Sequence, residues 1–335
     1  MTTIAVDAMG GDYAPEEIVH GAVLAVKEYG VHVQLTGPQD ILIKELQKHN
    51  VEDLPIEIVQ AQEIIDMGET QPAIAVRKKR NSSIAVAMNQ VANGFAGGVV
   101  AAGSTGAAAA AALLCLKRIE GIERPCIAAV MPTHTRPVIL VDAGANVEAT
   151  CEQLLQNAIM GVALAKGIFK LSSPRVALLN IGEEPGKGNS VVKEAFELLS
   201  NSPGLNFIGN VEGRDVPESA CDVCVCDGFV GNVFLKTAEG IAKMVSSMLR
   251  EELTRDAVSK IGALFAKDAF YRMKKRIDYA EFGGAQLLGV RGVCVIAHGS
   301  SRHIAVKNAI RVAKEAVEAN IITIIESMVK TYVKK

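Results

Sequence analysis

Six glycine-rich polar segments each follow a short apolar run, and they carry most of the side chains that could do chemistry. They are DAMGGD at 7–12, GSTG at 103–106, DAGAN at 142–146, NIGEE at 180–184, DGFVGN at 227–232 and HGSS at 298–301. One such segment would mean little, because glycine serves any tight turn. Six of them in equivalent places predict one composite polar site, since open α/β sheets bind ligands beyond the carboxyl ends of their strands.

The segment Ser104-Thr105-Gly106 opens an alanine-rich stretch directly after an apolar run. The first amides of a helix have no intrahelical partner, and the helix dipole is positive there. Backbone N–H groups together with two hydroxyls therefore predict a phosphate site. The alternative is a simple N-cap by one of the two hydroxyl residues.

Lys187 and His298 are candidates for charge or proton chemistry in or near these loops. Lys187 follows a segment that resembles a phosphate-binding loop, but the spacing is wrong and two glutamates stand where phosphate would lie. It could reach an anion or be a solvated loop lysine. His298 could act as an acid, donate to an oxyanion or be structural. No G-x-G-x-x-G follows a predicted strand, so NAD and ATP are not expected.

Two further clusters allow a functional and a plain interpretation. Cys221, Cys224 and Cys226 lack the second cysteine pair that structural zinc usually needs, and their alternation with valine predicts a buried strand. The basic run 77–80 (RKKR) stands just before Ser82. It could neutralise phosphate or dock an acidic partner, or it could be a solvated helix face.

In segment 256–278 an apolar helical face is bordered by basic residues. The apolar residues are Val258, Ile261, Leu264 and Phe265, and the basic ones are Lys260, Lys267, Arg272, Lys274, Lys275 and Arg276. Basic residues beside an apolar face suit an interfacial helix at an anionic membrane. A dimer-contact or core-facing helix is the alternative.

Short β runs alternate with helical stretches along the whole chain. The predicted strands are 4–7, 31–36, 56–60, 98–102, 126–130, 138–141, 176–180, 206–209, 222–226 and 292–297. The predicted helices include 15–29, 41–49, 74–91, 106–116, 148–166, 191–201, 233–251 and 302–330. This alternation predicts a three-layer α/β fold, with a mostly parallel sheet and helices on both faces. We expect one domain over residues 1–335, in an arrangement compatible with two lobes and a cleft.

The composition and charge of the chain argue against several classes of protein. The formal net charge is −2, which argues against a broad surface for nucleic acid. The N-terminus has no basic stretch followed by an apolar one, so no signal peptide is expected, and seven cysteines indicate reduced thiols in a cytosol. Residues 81–116 carry no charge, but glycines interrupt them, so they predict helix, buried strand, loop and helix rather than a membrane span.

Eight stretches in collinear order resemble the bacterial phosphate acyltransferase family, PlsX. They are IAVDAMGGD (4–12), RKKRNSSI (77–84), AAGSTGA (101–107), VDAGANVE (141–148), NIGEEPGKGN (180–189), GNVEGRD (209–215), CDGFVGNVFLKTAEG (226–240) and YAEFGGAQLLGVRGVCVIAHGSS (279–301). The resemblance covers nearly the whole chain. It is therefore far more specific than any one glycine-rich loop.

The resemblance implies an activity and a setting. Members convert acyl-[acyl-carrier-protein] and inorganic phosphate into acyl phosphate and free carrier protein, and a membrane glycerol-3-phosphate acyltransferase then uses the acyl phosphate. It also implies a fold similar to phosphotransacetylases and to isocitrate and isopropylmalate dehydrogenases, and a homodimer. A cytoplasmic protein with peripheral membrane contact is implied as well, which favours the membrane interpretation of the face at Val258, Ile261, Leu264 and Phe265.

A mechanism for such a reaction needs positioning and oxyanion stabilisation more than strong acid–base catalysis, because phosphate is a nucleophile and a thiolate leaves readily. Lys187 or Asn232 would offset negative charge, and His298 or Ser300 would donate to the oxyanion. No cofactor or metal is needed. The expected phosphate- and substrate-binding residues are Asp7, Gly10, Gly11, Lys78, Ser82, Ser104, Thr105, Gly106, Asp142, Asn146, Asn180, Glu183, Asp227, Gly228, Gly231, Gly284 and Ser301.

Three alternatives stay open at this point. The donor could be acyl-CoA instead of an acyl carrier protein. The fold could serve a decarboxylating dehydrogenase, which would need NAD(P) and a divalent metal. The chain could also be a non-catalytic module that binds acyl groups or carrier protein at the membrane, although the dense polar loops argue against this.

Overall fold

A computed structural model describes residues 1–277 and 279–332, and within them eleven strands form one sheet. The strands are β1 (Thr3–Asp7), β2 (His32–Gly37), β3 (Ile56–Gln60), β4 (Gly98–Ala101), β5 (Cys126–Met131), β6 (Val138–Val141), β7 (Val176–Asn180), β8 (Phe207–Glu212), β9 (Val223–Val225), β10 (Ala285–Leu288) and β11 (Val293–Ile296). The order across the sheet is β3-β2-β1-β4-β11-β10-β5-β6-β9-β7-β8.

Helices cover both faces of this sheet. They are α1 (Glu16–Tyr29), α2 (Gln39–Leu46), α3 (Pro72–Lys78), α4 (Ser83–Ala92), α5 (Thr105–Cys115), α6 (Cys151–Ile168), α7 (Ser190–Ser200), α8 (Gly228–Thr254), α9 (Ala257–Phe265), α10 (Lys267–Ile277), α11 (Tyr279–Phe282), α12 (His303–Glu318) and α13 (Ile321–Tyr332). One apolar core lies under α1, α6, α7, α12 and α13, and a second under α4, α5 and part of α8. The predicted α/β architecture, with a mostly parallel sheet between two helical layers, is confirmed.

The sheet reverses direction near its middle. Strands β3, β2, β1, β4 and β11 run parallel to one another, and so do β6, β9, β7 and β8. Between these sets, β10 is antiparallel to β11 and to β5, and β5 is antiparallel to β6. The two parallel halves therefore point in opposite directions, and their carboxyl ends lie at opposite edges of the sheet.

The structure differs from the prediction in two helices and in one strand that was not predicted. The predicted helix 74–91 is two helices, α3 and α4, separated by a turn at residues 79–82. The predicted helix 302–330 is broken into α12 and α13 at Asn320, whose φ of 52° is left-handed and incompatible with a continuing helix. No strand was predicted at β10, because four residues (AQLL) after two glycines lack the length of a typical strand signal.

Helices α8 to α10 extend beyond the layers that cover the sheet. α8 buries Gly228 and Gly231 and exposes Ile241, Met244 and Met248. Every residue of α9 is exposed or half-buried. The predicted basic segment 256–278 ends at Asp278, which lies outside the described residues, as does the side chain of Lys274. In the part of the chain that the structure describes, no helix is both long enough and apolar enough to cross a membrane.

Candidate active site

The six glycine-rich loops fall into two groups at the carboxyl ends of the two opposed halves of the sheet, yet loops of both groups line one groove, with Thr105, His298 and Ser301 from one group and Ala143, Gly144 and Asn232 from the other. The upper group follows β1, β4 and β11 (residues 8–12, 102–104 and 297–302), and the lower group follows β6, β7 and β9 (residues 142–146, 181–189 and 226–227). Strand β5 runs between the two edges: Ile127 bonds to Asp142 at one end, and Met131 pairs with Val138 at the other. Val295, Gln286, Ala128 and Val141 lie in one row across the sheet, so the loops after β11 and β6 begin only two or three residues apart along the strands, roughly 7–10 Å at ~3.3 Å per residue.

In the upper group, the β1 loop is in direct contact with the other two loops. The N–H of Asp12 donates to the Gly299 carbonyl at 2.8 Å. A Cβ at Gly10 would lie 2.9 Å from the Gly103 nitrogen and 2.7 Å from Oδ2 of Asp7. Because real Cβ atoms do not approach that closely, only glycine fits where these loops meet.

Asp7 is a buried carboxylate at the centre of the upper group, with 4% of its surface exposed. Burial raises its pKa to about 6, against the lowering effect of hydrogen bonds from the Ser83 side chain and the amides of Met9 and Gly10. Burial destabilises the ionised form of this carboxylate, and a nearby positive charge or further hydrogen-bond donors would stabilise it. Sequence reasoning missed Ser83, although a hydroxyl residue at the start of α4 is a signal for such a bond.

The start of α5 has unused hydrogen-bonding capacity. Ser104 is the N-cap residue, and within the described residues its side chain makes no capping bond. Thr105 and Gly106 follow in the first helical turn and are exposed. The amides of this turn therefore keep the unpaired N–H groups and positive dipole that favour an anion.

His298 and Ser300 form a second polar element of the upper group. The Ser300 N–H lies 3.2 Å from His298 Nδ1, and the Ser300 hydroxyl lies 2.8 Å from the same atom. A backbone N–H can only donate, so Nδ1 is the acceptor and carries no proton. In the neutral ring the proton is then on Nε2, which makes Nε2 a donor.

Ser82 and Lys78 lie beside the upper group, on the α3–α4 turn. Lys78 is exposed at the end of α3. Ser82 is fully buried before α4, and its hydroxyl makes no hydrogen bond to the described part of the chain. Gly11 also belongs to this edge, with φ 114° and 3.1 Å from a would-be Cβ to the Ala102 carbonyl.

The lower group is held together by Asp142, which is fully buried. Its oxygens accept from the backbone N–H groups of Ile127 (3.0 Å), Gly144 (3.0 Å), Ala145 (2.9 Å) and Asn146 (2.8 Å). The side-chain amide of Asn146 donates to it as well, at 2.9 Å. Because the Asp142 carboxylate accepts hydrogen bonds from so many groups of its own loop, Asp142 and Asn146 stabilise the loop conformation.

The β9 loop packs tightly onto the Asp142 loop. Asp227 caps α8 by accepting from the Val230 N–H at 2.8 Å, and the Gly228 N–H donates to the Asn146 carbonyl at 2.7 Å. A Cβ at Gly231 would lie 1.9 Å from the Asp142 carbonyl oxygen. Asp227, Gly228 and Gly231 thus join α8 to the sheet.

Lys187 lies in the lower group and is not brought together with His298. Its carbonyl accepts from Asn180 Nδ2 at 3.1 Å, while the Glu184 carbonyl accepts from Asn210 Nδ2 at 2.9 Å. The side chains of Glu183 and Lys187 are exposed on this loop. The loop with Asn180, Glu183 and Lys187 follows β7, and four strands lie between β7 and β11 in the sheet.

A groove of about 940 Å³ crosses the sheet face between α5 and α8. Its floor is apolar and consists of alanine and larger aliphatic residues on β5, β10, β11 and α8: Ile127, Ala129, Leu235, Ala238, Ala285 and Ile296. Five predicted site residues line it: Thr105, Asn232, Gly284, His298 and Ser301. Sequence reasoning missed the floor, whose alanines look like ordinary packing residues until the sheet order brings β5 and β10 together.

Cationic side chains stand on the rim of the groove. Arg272 and Arg276 of α10 line it, and Arg276 Nη2 donates to the His134 carbonyl at 2.7 Å. Lys236 also lines it and pairs with Glu239 at 2.7 Å. The groove is thus an apolar channel with a polar upper end and a partly basic rim.

Solved structures of other proteins share the fold of this chain. The chain superposes on a phosphotransacetylase from Streptococcus pyogenes with a TM-score of 0.63 and 17% identity, covering 95% of this chain and 94% of that one. It also superposes on the EutD phosphotransacetylase from Staphylococcus aureus, with a TM-score of 0.59, 15% identity and 94% of each chain covered. At such low identity these likenesses establish the α/β fold.

Sequence comparison gives the family. The model of a family described as "Fatty acid synthesis protein" matches residues 2–324. A phosphate acyltransferase from Pelotomaculum thermopropionicum is 51% identical over 98% of this chain and 95% of its own length. One from Dictyoglomus turgidum is 49% identical over 95% of each chain. The chain belongs to this family and is a transferase of the phosphate acyltransferase class.

Proposed function

We propose that this enzyme transfers a long-chain fatty acyl group from acyl-[acyl-carrier-protein] to inorganic phosphate, and that the acyl phosphate feeds phospholipid synthesis through a membrane glycerol-3-phosphate acyltransferase. The observation that carries the proposal is the groove. It has an apolar floor suited to an alkyl chain, and its upper end meets the uncapped start of α5 and the His298–Ser300 pair. No cofactor takes part in the proposed reaction.

Phosphate would lie at the start of α5. The amides of the first turn and the hydroxyls of Ser104 and Thr105 are the donors there, and the helix dipole favours the anion. Asp7 would orient the glycine-rich loop that closes this end, and Lys78 and Ser82 flank it. Gly10 and Gly11 would shape the same pocket, because larger residues do not fit there, and the buried Ser301 would line it.

The chemical step follows from these positions. A phosphate oxygen attacks the thioester carbon, so that a C–O bond forms and an oxyanion develops on the carbonyl oxygen. His298 Nε2–H would donate to that oxyanion, and Ser300 would hold the imidazole through Nδ1. Collapse of the intermediate breaks the C–S bond and releases the carrier thiolate, which takes a proton from solvent.

The lower group would contribute differently. Asn232 lines the groove at that end, and its amide could contact the carrier-linked part of the substrate. Gly284 lies at the other end of the groove, against Ile296 and Ala297, where it would leave room above the floor. Charge compensation by Lys187 stays a prediction; in the sheet order, four strands separate β7, which precedes Lys187, from β11, which precedes His298.

The acyl carrier protein would dock at the groove's rim, where Arg272, Arg276 and Lys236 favour an acidic surface. The membrane would meet α9. There, Val258, Leu264 and Phe265 expose 81%, 70% and 87% of their surface, and Ile261 exposes 59%. Exposed Lys260 and Lys267 stand beside them, as binding to an anionic membrane surface requires. This arrangement fits a cytoplasmic protein with peripheral membrane contact.

A homodimer would bury the exposed apolar stripe of α8, which includes Val233, Ile241, Met244 and Met248. Contiguous apolar surface on a helix commonly marks an interface between chains. Residues 1–335 would act as one domain, because a single sheet runs through both halves of the chain.

The donor is tested by acyl phosphate formation from palmitoyl-[acyl-carrier-protein] and from palmitoyl-CoA, each with phosphate. We expect product from the carrier protein at a kcat/KM at least tenfold above that from CoA. Product from CoA alone would move the enzyme to the CoA-dependent class. Absence of product from both donors would contradict the proposal.

The groove is tested separately by Ala129→Phe, which places a ring on the floor. We expect the kcat/KM for palmitoyl donor to fall at least tenfold more than that for octanoyl donor, because a long chain needs the blocked space. The octanoyl donor is the internal control for misfolding. Equal losses for both donors would mean that the chain does not lie there.

A further inference from the structure

Three of the six histidines form a row outside the groove, where α1 and α12 meet the end of α2. The ring of His20 stacks on the ring of His303, with 4.3 Å between centroids. On its other side it stacks on His49, at 5.1 Å. Imidazoles brought together in this way present several ring nitrogens at one place on the surface.

Glu17 adds a carboxylate to this row. It lies one helical turn before His20 on α1, so both side chains share a face. Its Oε2 lies 2.6 Å from His303 Nδ1 and accepts from the His303 N–H at 2.7 Å. One carboxylate oxygen of Glu17 and one ring nitrogen each of His20 and His303 all lie within 4.8 Å of one another.

Two imidazoles and one carboxylate are a common ligand set for divalent transition ions. Ligand distances of about 2.1 Å require these donor atoms to close to roughly 3.4 Å apart, a movement of side chains rather than of helices. Glu17, His20 and His303 are each half-buried, so the position is sheltered yet open to solvent. Arg302 pairs with the other oxygen of Glu17 at 3.0 Å and its guanidinium lies 4.2 Å from the centre of the Tyr13 ring, but it is 61% exposed, so an ion that displaces it from Glu17 leaves its charge in water.

His49 offers a further nitrogen. Its Nε2 is buried and makes no hydrogen bond to the part of the chain described here. A buried ring nitrogen of this kind, on a ring that stacks against His20, is costly unless something binds it. A metal ion satisfies such nitrogens without a proton donor.

We propose that Glu17, His20 and His303 bind a divalent transition ion of the Zn²⁺ type, with His49 as an additional nitrogen beside them. The ion would join α1 to α12. Because α1 follows the Asp7 loop and α12 begins two residues after Ser301, it would brace the upper group from outside. The proposal is independent of which acyl donor the enzyme uses.

The test uses the full-length reduced chain without a histidine tag, titrated with Co²⁺ as a spectroscopic substitute for Zn²⁺. We expect visible d–d absorption that saturates at one ion per chain. His20→Gln and Glu17→Gln should each weaken binding by at least about tenfold. His32→Gln, which removes a histidine outside the row, is the matched control and should bind as the parent does.

Thermal unfolding gives a second readout. Zn²⁺ at a hundred times its dissociation constant should raise the unfolding midpoint of the parent by about 5 °C and that of His20→Gln by much less. Circular dichroism of the metal-free variants checks that they are folded, and His20→Gln serves if Glu17→Gln is not. The proposal is overturned if the variants bind Co²⁺ like the parent, if no d–d absorption develops, or if thiolate charge-transfer bands show that cysteines hold the ion.

Discussion

Asp7 and Asp142 each lie in the sequence Val-Asp-Ala, at the ends of β1 and β6. The hydrogen bonding around the two carboxylates is nevertheless very different. The Asp142 carboxylate is surrounded by donors from its own loop and from Ile127. Asp7 is equally buried, but burial outweighs its few donors and raises its pKa to about 6. Asp142 therefore stabilises the fold. The ionised carboxylate of Asp7 is destabilised by burial, and it lies at the end of the sheet where we propose that phosphate binds.

The residues that follow each aspartate explain the difference. After Asp142, the chain turns back, so that the amides of Gly144, Ala145 and Asn146 point at the carboxylate. After Asp7, Gly10 and Gly11 are instead used for close contact with the β4 and β11 loops. The comparison teaches that a shared motif fixes where a carboxylate lies, while the next few residues decide whether it serves stability or function.

The largest expected effect is a loss of stability when Asp142, whose carboxylate accepts several hydrogen bonds, is replaced. Asp142→Ala leaves the buried amide of Ile127 without an acceptor, at a cost of ~1–3 kcal/mol, and removes the acceptor of three partly buried loop amides, so we expect the free energy of unfolding to fall by about 3 kcal/mol. Urea denaturation measures it. A loss below 1 kcal/mol would mean that the lower group is not the structural partner in this comparison.

The next effect is on turnover. His298→Gln should lower kcat about 100-fold, because an oxyanion donor is lost, and should change the free energy of unfolding by less than about 1 kcal/mol. Ser300→Ala, which acts through His298, should lower kcat less and shift its pH profile. If kcat survived in His298→Gln, the oxyanion donor would have to be sought elsewhere.

Asp7→Asn should separate stability from function. The folded-state pKa of Asp7 is raised from 3.8 to about 6, so the unfolded chain releases this proton first as pH rises. Stability from this group is therefore present below pH ~4, is lost between pH ~4 and ~6, and stays lost above. Asn cannot ionise, so the variant should be more stable than the parent by roughly 2–3 kcal/mol at pH 7.5 and equal to it near pH 4.

Denaturant titrations at both pH values, with acyl phosphate formation assayed alongside, check this. The variant should lose activity while gaining stability at pH 7.5, because the charge that is costly to the fold is the one that orients the phosphate end. A stability gain that is the same at both pH values would show that ionisation of Asp7 is not the cause.

The smallest expected effect is at the start of α5. Ser104→Ala should raise the KM for phosphate by about tenfold, the loss of one hydrogen bond to a charged group. Because the Ser104 side chain makes no capping bond within the described structure, stability should change by less than about 0.5 kcal/mol. A stability loss near 1 kcal/mol with an unchanged KM would identify a plain N-cap instead.

Much of this architecture was readable from sequence, because apolar runs and the glycine-rich loops after them are local signals. The strands from β1 to β9 were predicted within a few residues, and the Val-Cys alternation did become the buried strand β9. The reversal of direction was not readable. It depends on the antiparallel pairing of β5 with β6 and β10, which is set by contacts distant in sequence.

Prediction of the site from sequence is limited in the same way, because it also depends on contacts between distant residues. The loops that carry Thr105 and His298 were found from residue type and position, but the position of Lys187 beside β7, four strands away from β11, follows from the strand order of the sheet. The groove floor, with Ala129 and Ala285, exists only once β5 and β10 are neighbours. Local chemistry was therefore predictable, and its grouping in space was not.

The most direct test of the central claim is binding of inorganic phosphate, by equilibrium dialysis with radiolabelled phosphate, to the parent enzyme and two variants. If phosphate lies at the upper group, Ser104→Ala combined with Thr105→Val should weaken binding at least tenfold, and Lys187→Ala should change it by less than about threefold. Unchanged binding in the upper-group variant with a tenfold loss in Lys187→Ala would contradict the account and place phosphate at the lower group.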